Sequence, residues 1–147
     1  MPRILTLLLW ITCSLALVGC SISRNVRPVE NASRIDKIYI EENPRVHMEG
    51  LLPEMVTQLE AMGYVTETYL EAPPSRARYT MTFTANWAWD VTMYLTYFRA
   101  ELWDRGQRIG EAEYDARAGS ANLGKFGTTA DKIRPLLEEM LGHTPAS

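Results

Sequence analysis

The clearest pattern along the chain is an alternation of apolar and polar residues between positions 79 and 93. The apolar positions are Tyr79, Met81, Phe83, Ala85, Trp87, Trp89, Val91 and Met93, and the intervening residues are mostly threonine. A period of two predicts a β-strand with one buried face. Because this stretch is long for a single strand, we expect a turn near residues 90–92 and a second strand over residues 94–103.

Further strands are predicted on both sides of this stretch. Residues 37–40 form a short β-branched and aromatic run that stops before Pro44, and residues 64–70 form another. Residues 104–107, Asp-Arg-Gly-Gln, are typical of a hairpin turn. The returning strand should therefore cover residues 108–116, and a glycine-containing loop should follow it.

Two segments show the period of an amphipathic helix. Apolar residues recur from Leu51 to Met62, directly before Gly63, a residue type that favours the position after a helix. Pro53 fits such a helix only in its first turn. Thr128 begins a capping sequence for a last helix, and Pro135 predicts that this helix starts late or bends. Its apolar stripe is Ile133, Leu136, Leu137, Met140 and Leu141.

The predicted order of elements is β-α-β-β-β-β-α over residues 35–142, with residues 143–147 as a tail. Helices with one apolar stripe and strands with one apolar face most simply form two layers. We therefore predict an α+β fold, a two-layer sandwich in which an antiparallel-rich sheet carries both helices on one face.

The first twenty residues have the features of a bacterial signal peptide. Arg3 supplies a positive start, and the apolar run from Ile4 to Val18 follows it. Fifteen residues span ~22 Å as a helix, which is short of a ~30 Å hydrocarbon core. A cleavable signal over residues 1–19 therefore fits better than a membrane-spanning helix. The run closes on Leu17, Val18, Gly19 and Cys20.

This tetrapeptide resembles the lipobox of bacterial lipoproteins, Leu-x-Gly/Ala-Cys. The resemblance implies that the chain is cut before Cys20, that the thiol is diacylglycerylated and that the new amine is acylated. Cys13 is discarded with the signal, so no intramolecular disulfide can form. Ser21 follows the cysteine where Asp would resemble an inner-membrane retention signal. The expected location is therefore the outer membrane, with the domain facing the periplasm.

The segment after the cysteine is polar, contains Pro28 and shows neither helical nor strand periodicity. We predict that residues 20–34 are the lipidated cysteine and a flexible tether. Fourteen flexible residues have a root-mean-square reach of ~20 Å. Such a tether would hold the globular domain clear of the lipid headgroups.

Charge narrows the classes of partner. Loss of Arg3 with the signal leaves 14 Lys and Arg against 18 Asp and Glu, a net charge of −4. A mildly acidic chain without a Lys/Arg cluster lacks the electrostatic footprint of a nucleic-acid binder. It also lacks a polybasic patch for anionic lipid. Attachment to a membrane must therefore come from the lipid anchor.

Five aromatic residues between positions 87 and 103 are candidates for a binding surface. Trp87 and Trp89 continue the apolar face of the alternating strand, so core positions are favoured for them over a surface role. Trp103 breaks the alternation beside a turn. With Tyr94 and Tyr97, it is the candidate surface for an envelope protein or a glycan.

Candidate chemistry is limited to carboxylates. These are Asp90, Glu101, Glu111, Glu113 and Asp115. Two carboxylates ~5–9 Å apart can hydrolyse a glycosidic bond, but cross-strand ion pairs with nearby arginines explain the pattern equally well. The only histidines, His47 and His143, complete no metal-ligand spacing. We expect no catalytic residue, no metal and no cofactor.

A family resemblance begins at residues 84–90, which include the string Asn-Trp-x-Trp-Asp at residues 86–90. Matching segments also occur at residues 20–22, 26–30, 42–44, 110–112, 114–115 and 132–133, and at Gly119, Asn122, Lys125 and Phe126. Over nearly the whole mature chain, the sequence resembles a family of small proteobacterial lipoproteins of uncharacterised function. The resemblance implies a lipoprotein and no known activity.

Three hypotheses for the function follow. The leading one is a non-enzymatic, lipid-anchored envelope domain that binds or scaffolds another envelope component. The second is a glycan-acting hydrolase that uses a carboxylate pair. The third is a lipoprotein that self-associates through the threonine-rich sheet face or an open strand edge.

Overall fold

The computed structural model describes residues 22–118 and 123–143. The predicted signal peptide and the lipobox, including Cys20, lie outside the described residues. The strands are β1 (Ser23–Arg27), β2 (Lys37–Glu41), β3 (Val65–Tyr69), β4 (Tyr79–Asp90), β5 (Thr92–Asp104) and β6 (Gln107–Asp115), and the helices are α1 (Leu51–Ala61) and α2 (Thr129–Met140). Short 3-10 turns occur at Ala32–Arg34 and Leu123–Lys125.

The strands form one six-stranded sheet in the order β1-β6-β5-β4-β2-β3. Together with the two helices, it confirms the predicted α+β class. The sheet is mixed, however, and the description as antiparallel-rich was partly wrong. β2 pairs in parallel with both β3 and β4, whereas β4, β5, β6 and β1 pair antiparallel in turn. The parallel part arises because α1 forms a crossover between β2 and β3.

The sheet has one strand more than the predicted order. β1 lies within the segment predicted as a tether, and its residues pair with β6 from Ser23 opposite Asp115 to Arg27 opposite Glu111. Four of its five residues are exposed, so its side chains show no alternation of buried and exposed positions. An edge strand held mainly by its backbone leaves little signal in a hydrophobic pattern, which explains why it was missed.

The core lies between one face of the sheet and both helices. Its fully buried members include Ile38, Met81, Phe98 and Leu102 from the strands and Met55, Leu59, Ile133 and Leu137 from the helices. Gln58 Nε2 joins the helices by donating to the carbonyl of Ala130 over 3.3 Å. The segment after β1 is fixed to α2, because the Val29 amide donates to the Met140 carbonyl over 2.8 Å.

Several local predictions are confirmed. The long alternating stretch breaks at Val91, where β4 ends and β5 follows. Gly63 has a φ of 96° and follows Met62, the residue that caps the end of α1. Thr128 caps α2, and its hydroxyl accepts from the Asp131 amide over 3.1 Å. Of the two alternatives predicted from Pro135, a late start or a bend, the late start is excluded, because α2 begins at Thr129 with Pro135 inside it. Neither described helix has the length and apolar character needed to cross a bilayer.

Candidate functional site

The face of the sheet that the helices leave uncovered is here called the open face. It consists of Thr80, Thr82, Thr84, Tyr97, Arg99, Glu101, Trp103, Arg108, Glu111 and Glu113. These residues alternate with the core residues of β4, β5 and β6, and the strand register places them in rows across the sheet. The alternation that builds the core therefore builds a polar surface on the other side.

Four charged side chains form a closed network at the centre of the open face. Glu101 and Glu111 are direct cross-strand neighbours. Arg99 Nη2 lies 2.9 Å from Glu101 Oε1 and 3.1 Å from Glu111 Oε2, and Arg108 Nη1 lies 2.6 and 2.7 Å from the same two atoms. Burial disfavours the charge on Arg99, but Glu101 and Glu111 raise its pKa above the ordinary value.

This network bears directly on the hydrolase hypothesis. One nitrogen of Arg108 contacts both carboxylates, so Glu101 and Glu111 are well within the ~10 Å limit for a catalytic pair. A glycosidase needs one of the two as a protonated acid. Here Arg99 and Arg108 each contact both carboxylates, which is the arrangement of a cross-strand ion-pair network.

Tyr97 and Trp103 both lie on the open face and are half-buried. The Tyr97 hydroxyl donates to Glu113 Oε1 over 2.8 Å, and the Arg117 guanidinium lies 4.4 Å from the ring centroid. Trp103 Nε1 donates to Thr82 Oγ1 over 3.1 Å. Because six residues of one strand separate them, the two rings stand about 20 Å apart. They do not form a single aromatic platform.

A cleft of about 330 Å³ opens at the edge of the sheet where β5 turns into β6. Four of its lining residues are arginines, namely Arg27, Arg34, Arg78 and Arg108, and two are acidic, Glu30 and Asp104. We call it the arginine cleft. Its remaining wall comes from the Pro28–Asn31 segment, Ile35, Tyr79 and Ile109. Sequence reasoning missed it, since its arginines come from three separate segments of the chain, residues 27–35, 78–79 and 104–109.

The arginines of the cleft differ in how they are neutralised. Arg78 makes a two-pronged pair with Asp104, with Nε to Oδ1 and Nη2 to Oδ2 both at 3.0 Å. This pairing lowers the pKa of Asp104 below its ordinary value. Among the described residues, no carboxylate lies within ion-pair distance of Arg27 or Arg34. Two guanidinium groups of the cleft are therefore open to a ligand.

At the opposite end of the sheet, β4 and β5 extend beyond their neighbours. The pairing of β5 with β6 stops at Tyr97, and that of β4 with β2 stops at Met81. Residues 87–95 consequently form a two-stranded projection, here called the hairpin tip. Trp89 is 72% exposed, Val91 at the apex 87% and Met93 45%. Leu123, from the 3-10 turn beside β5, is 81% exposed.

The segment that precedes α2 contacts the hairpin tip beside its apex. Lys125 Nζ lies 2.6 Å from Asp90 Oδ2, and this hydrogen bond raises the pKa of Lys125. The ring of Phe126 packs edge-on against Tyr94 at a centroid distance of 5.7 Å. Lys132 Nζ in turn donates to the Lys125 carbonyl, and burial lowers the pKa of Lys132.

The structure separates the aromatic residues that the sequence grouped together. Tyr94 belongs to the hairpin tip, whereas Tyr97 and Trp103 belong to the open face. Trp87 is half-buried against the core, in line with its predicted position. The core position favoured for Trp89 was wrong, because no strand or helix of the described residues covers this end of β4.

The remaining predicted candidates lie apart from these surfaces. His47 is exposed. His143 follows α2, and its Nε2 lies 3.4 Å from the Tyr64 hydroxyl. Within the described residues, no group of three His, Cys, Asp or Glu side chains has the geometry of a metal site. Cys20 and the rest of the lipobox lie outside the described part of the chain.

Comparison with known proteins gives structural neighbours alone. No family profile and no curated sequence match the chain. Among solved structures, a variant of PelC from Paraburkholderia phytofirmans, described as a dodecamer, superposes with a TM-score of 0.52 and 17% identity. The match covers 79% of this chain and 97% of that one. A second PelC dodecamer structure from the same organism gives a TM-score of 0.50, 18% identity and coverage of 78% and 98%.

Proposed function

We propose that this chain is a lipid-anchored protein of the cell envelope whose domain acts by binding an anionic component of the envelope. The anchor is Cys20 of the lipobox, and the expected location remains the periplasmic face of the outer membrane. The observation that carries the proposed binding role is the arginine cleft. No catalytic step is assigned to the domain.

The ligand chemistry follows from the lining of the arginine cleft. Guanidinium groups bind carboxylate and phosphate through paired, charge-assisted hydrogen bonds. Arg27 and Arg34 offer such donors, while the Arg78–Asp104 pair holds one wall in place. The mixture of apolar and charged lining suits a polymer segment that carries acidic groups at intervals. An acidic envelope glycan has this chemistry.

The open face supports binding over hydrolysis. The two cross-strand carboxylates at its centre, Glu101 and Glu111, both form ion pairs with Arg99 and Arg108. A surface of mutually neutralised charges beside Trp103 can contact a glycan through hydrogen bonds and a ring face. Because Glu101 and Glu111 are both engaged in these ion pairs, we assign the open face a binding role.

Binding is tested by titrating the purified chain with a uronic-acid oligosaccharide and with inorganic phosphate. Loss of one charge-assisted contact weakens binding by about tenfold or more, so Arg27→Gln and Arg34→Gln should each raise the dissociation constant by that factor. Arg45→Gln is the matched control, because Arg45 is exposed and lies outside the cleft. Equal affinity in all four proteins, or no binding by the wild type, would overturn the assignment of the cleft.

The anchor is tested separately in the cell. Intact mass and fatty-acid labelling should show a chain that begins at Cys20 and carries acyl groups, sedimenting with outer-membrane fragments. The Cys20→Ala variant should be neither acylated nor cut at this position. An unmodified wild-type chain would contradict the anchor without bearing on the cleft.

Self-assembly is a second candidate, favoured by one specific observation. The PelC structures that share the fold are dodecamers, and β1 and β3 leave two unpaired edges on opposite sides of this sheet. Different edges that meet head to tail generate a ring. Light scattering of the detergent-solubilised chain should then give a multiple of its mass, which Val65→Lys on the edge of β3 should reduce. A monomer at all concentrations would remove this candidate.

A further inference from the structure

The hairpin tip exposes large apolar side chains that no other part of the described chain covers. Trp89, Val91 and Met93 come from one hairpin, and Leu123 comes from a separate turn held beside it by the Lys125–Asp90 pair. Single exposed apolar residues are ordinary, but a projecting group of four marks a surface that contacts another apolar phase. The direction of β1 indicates which phase this is.

The start of β1 lies at the foot of the hairpin tip. Ser23 pairs with Asp115, Asp115 with Tyr97, and Tyr97 with Asn86, so these four residues form one row across the sheet. β1 is antiparallel to β6, and β6 is antiparallel to β5. β1 therefore runs away from the tip, as β5 does. The chain enters the domain from the side on which the tip projects.

The covalent distance to the proposed anchor is short. Cys20 precedes Ser23 by three residues, so the two lie at most ~11 Å apart along an extended chain. The tip rises about five residues beyond the same row, from Asn86 to Val91, which is ~17 Å at the usual rise of a strand. The separation between β1 and β5 across the sheet is only ~10 Å. The apex of the tip thus projects at least as far as Cys20 can extend.

We propose that the hairpin tip inserts into the same lipid leaflet that holds the acyl chains on Cys20. The inference rests on the proposed lipid anchor. A membrane that holds Cys20 meets the tip, because the connection is too short to lift the tip clear of the surface. Trp89 and Met93 face each other across the hairpin and sit at the depth of the headgroups, where an indole ring is favoured. Val91 at the apex contacts the upper acyl chains.

This arrangement gives the domain a fixed orientation instead of free motion on a tether. Two separate attachments, the acyl chains and the tip, hold the β4–β5 hairpin upright on the membrane. The arginine cleft lies at the far end of the same hairpin, about 40 Å from the apex at the usual rise of a strand. It is therefore presented to the periplasm, away from the headgroup phosphates that would compete for its arginines.

The test uses the processed, acylated full chain in vesicles of phosphatidylethanolamine and phosphatidylglycerol with brominated acyl chains, which quench tryptophan fluorescence only on close approach. Unbrominated vesicles give the reference. Wild type and Trp103→Phe should both be quenched, whereas Trp89→Phe should lose most of the bromine-dependent quenching. Both substitutions keep an aromatic ring, so neither should change how the domain sits on the membrane.

The outcomes separate this inference from the proposed anchor. If the protein is acylated but Trp89 is not quenched, insertion of the tip is overturned and the anchor stands. The tip would then be a contact for another protein or for a second copy of this chain. Quenching that persists in Trp89→Phe and disappears in Trp103→Phe would place the open face on the membrane and would also overturn the inference. Absence of acyl groups on Cys20, seen in the intact mass, contradicts the anchor itself.

Discussion

The two halves of the β4–β5 hairpin obey one sequence pattern and have opposite surroundings. One half of the hairpin lies around Tyr79, where β4 begins, and Asp104, where β5 ends. There, neighbouring strands pair with the hairpin on both sides and the helices cover one face. In the half that includes Trp89 and Met93, the two strands pair only with each other. The same apolar alternation therefore yields a core in one half and an exposed apolar projection in the other. Burial is decided by neighbours, and the alternation by itself decides only which side chains share a face.

The largest expected difference between the two halves is in stability. Phe98 is fully buried, so Phe98→Ala should lower the free energy of unfolding by ~3–5 kcal/mol. Trp89 is mostly exposed, so Trp89→Ala should change it by no more than about 0.5 kcal/mol. Equilibrium urea unfolding of the purified chain measures both. Similar losses for the two variants would show that the tip is packed as the core is.

The second prediction concerns the close contact between β6 and the Pro28–Asn31 segment, which forms part of the wall of the arginine cleft. A Cβ added at Gly110 would lie 2.5 Å from Val29 Cγ2 and 3.2 Å from Met140 Cγ. Gly110→Ala should therefore cost ~1–3 kcal/mol of stability, as overpacking does. Gly50→Ala is the control, since its Cβ would meet nothing within 4 Å. A Gly110→Ala protein as stable as the wild type would mean that this segment is free to move.

The open face should contribute less than either core contact. A double-mutant cycle on Arg99 and Glu111 should give a coupling free energy of about 0.5–1 kcal/mol, because the side chains are partly exposed to water and salt. The same cycle in high salt should give a smaller value. A coupling near zero would indicate that the network has no fixed geometry.

The smallest effect is expected at low pH. The hydrogen bond from Arg117 lowers the pKa of Asp115 below its ordinary 3.8. A lowered pKa stabilises the folded chain fully above pH 3.8 and progressively less as the pH falls through the folded value. In the Asp115→Asn variant, the free energy of unfolding should therefore fall slightly less steeply as the pH is lowered from about 5 to about 2. Urea unfolding at a series of pH values in this range measures this acid limb of the stability curve. An unchanged limb would show that the pair does not hold in solution.

The sequence predicted best the features that depend on local signals. The period-two stretch gave β4, the capping residue Thr128 gave the start of α2, and the hairpin turn gave β5 and β6. It failed where side chains carry no pattern or where distant segments meet. β1 is an exposed edge strand, and the arginine cleft draws Arg27, Arg34, Arg78 and Arg108 together through the sheet register.

The error at Trp89 has the same physical origin. An alternating strand predicts which residues share a face, but the extent of the covering layer depends on the lengths of other elements. Here the pairing of β2 with β4 stops at Met81 and that of β6 with β5 stops at Tyr97, so the described neighbouring strands do not reach the end of the hairpin that contains Trp89. The sequence also predicted a flexible tether where the structure has β1. Backbone pairing alone can order such a polar segment, even though its side chains show no apolar pattern. That change brings the domain close to its proposed anchor.

The most direct test of the central claim, that the two ends of the hairpin face opposite surroundings, is thiol labelling in isolated envelope fragments. The chain has only Cys13 and Cys20, which the proposed processing removes or blocks, so an introduced cysteine is the sole reactive thiol. With a charged maleimide, Arg34→Cys should label rapidly, while Val91→Cys should label only after detergent is added. Equal labelling of both positions in intact membrane fragments would contradict the account.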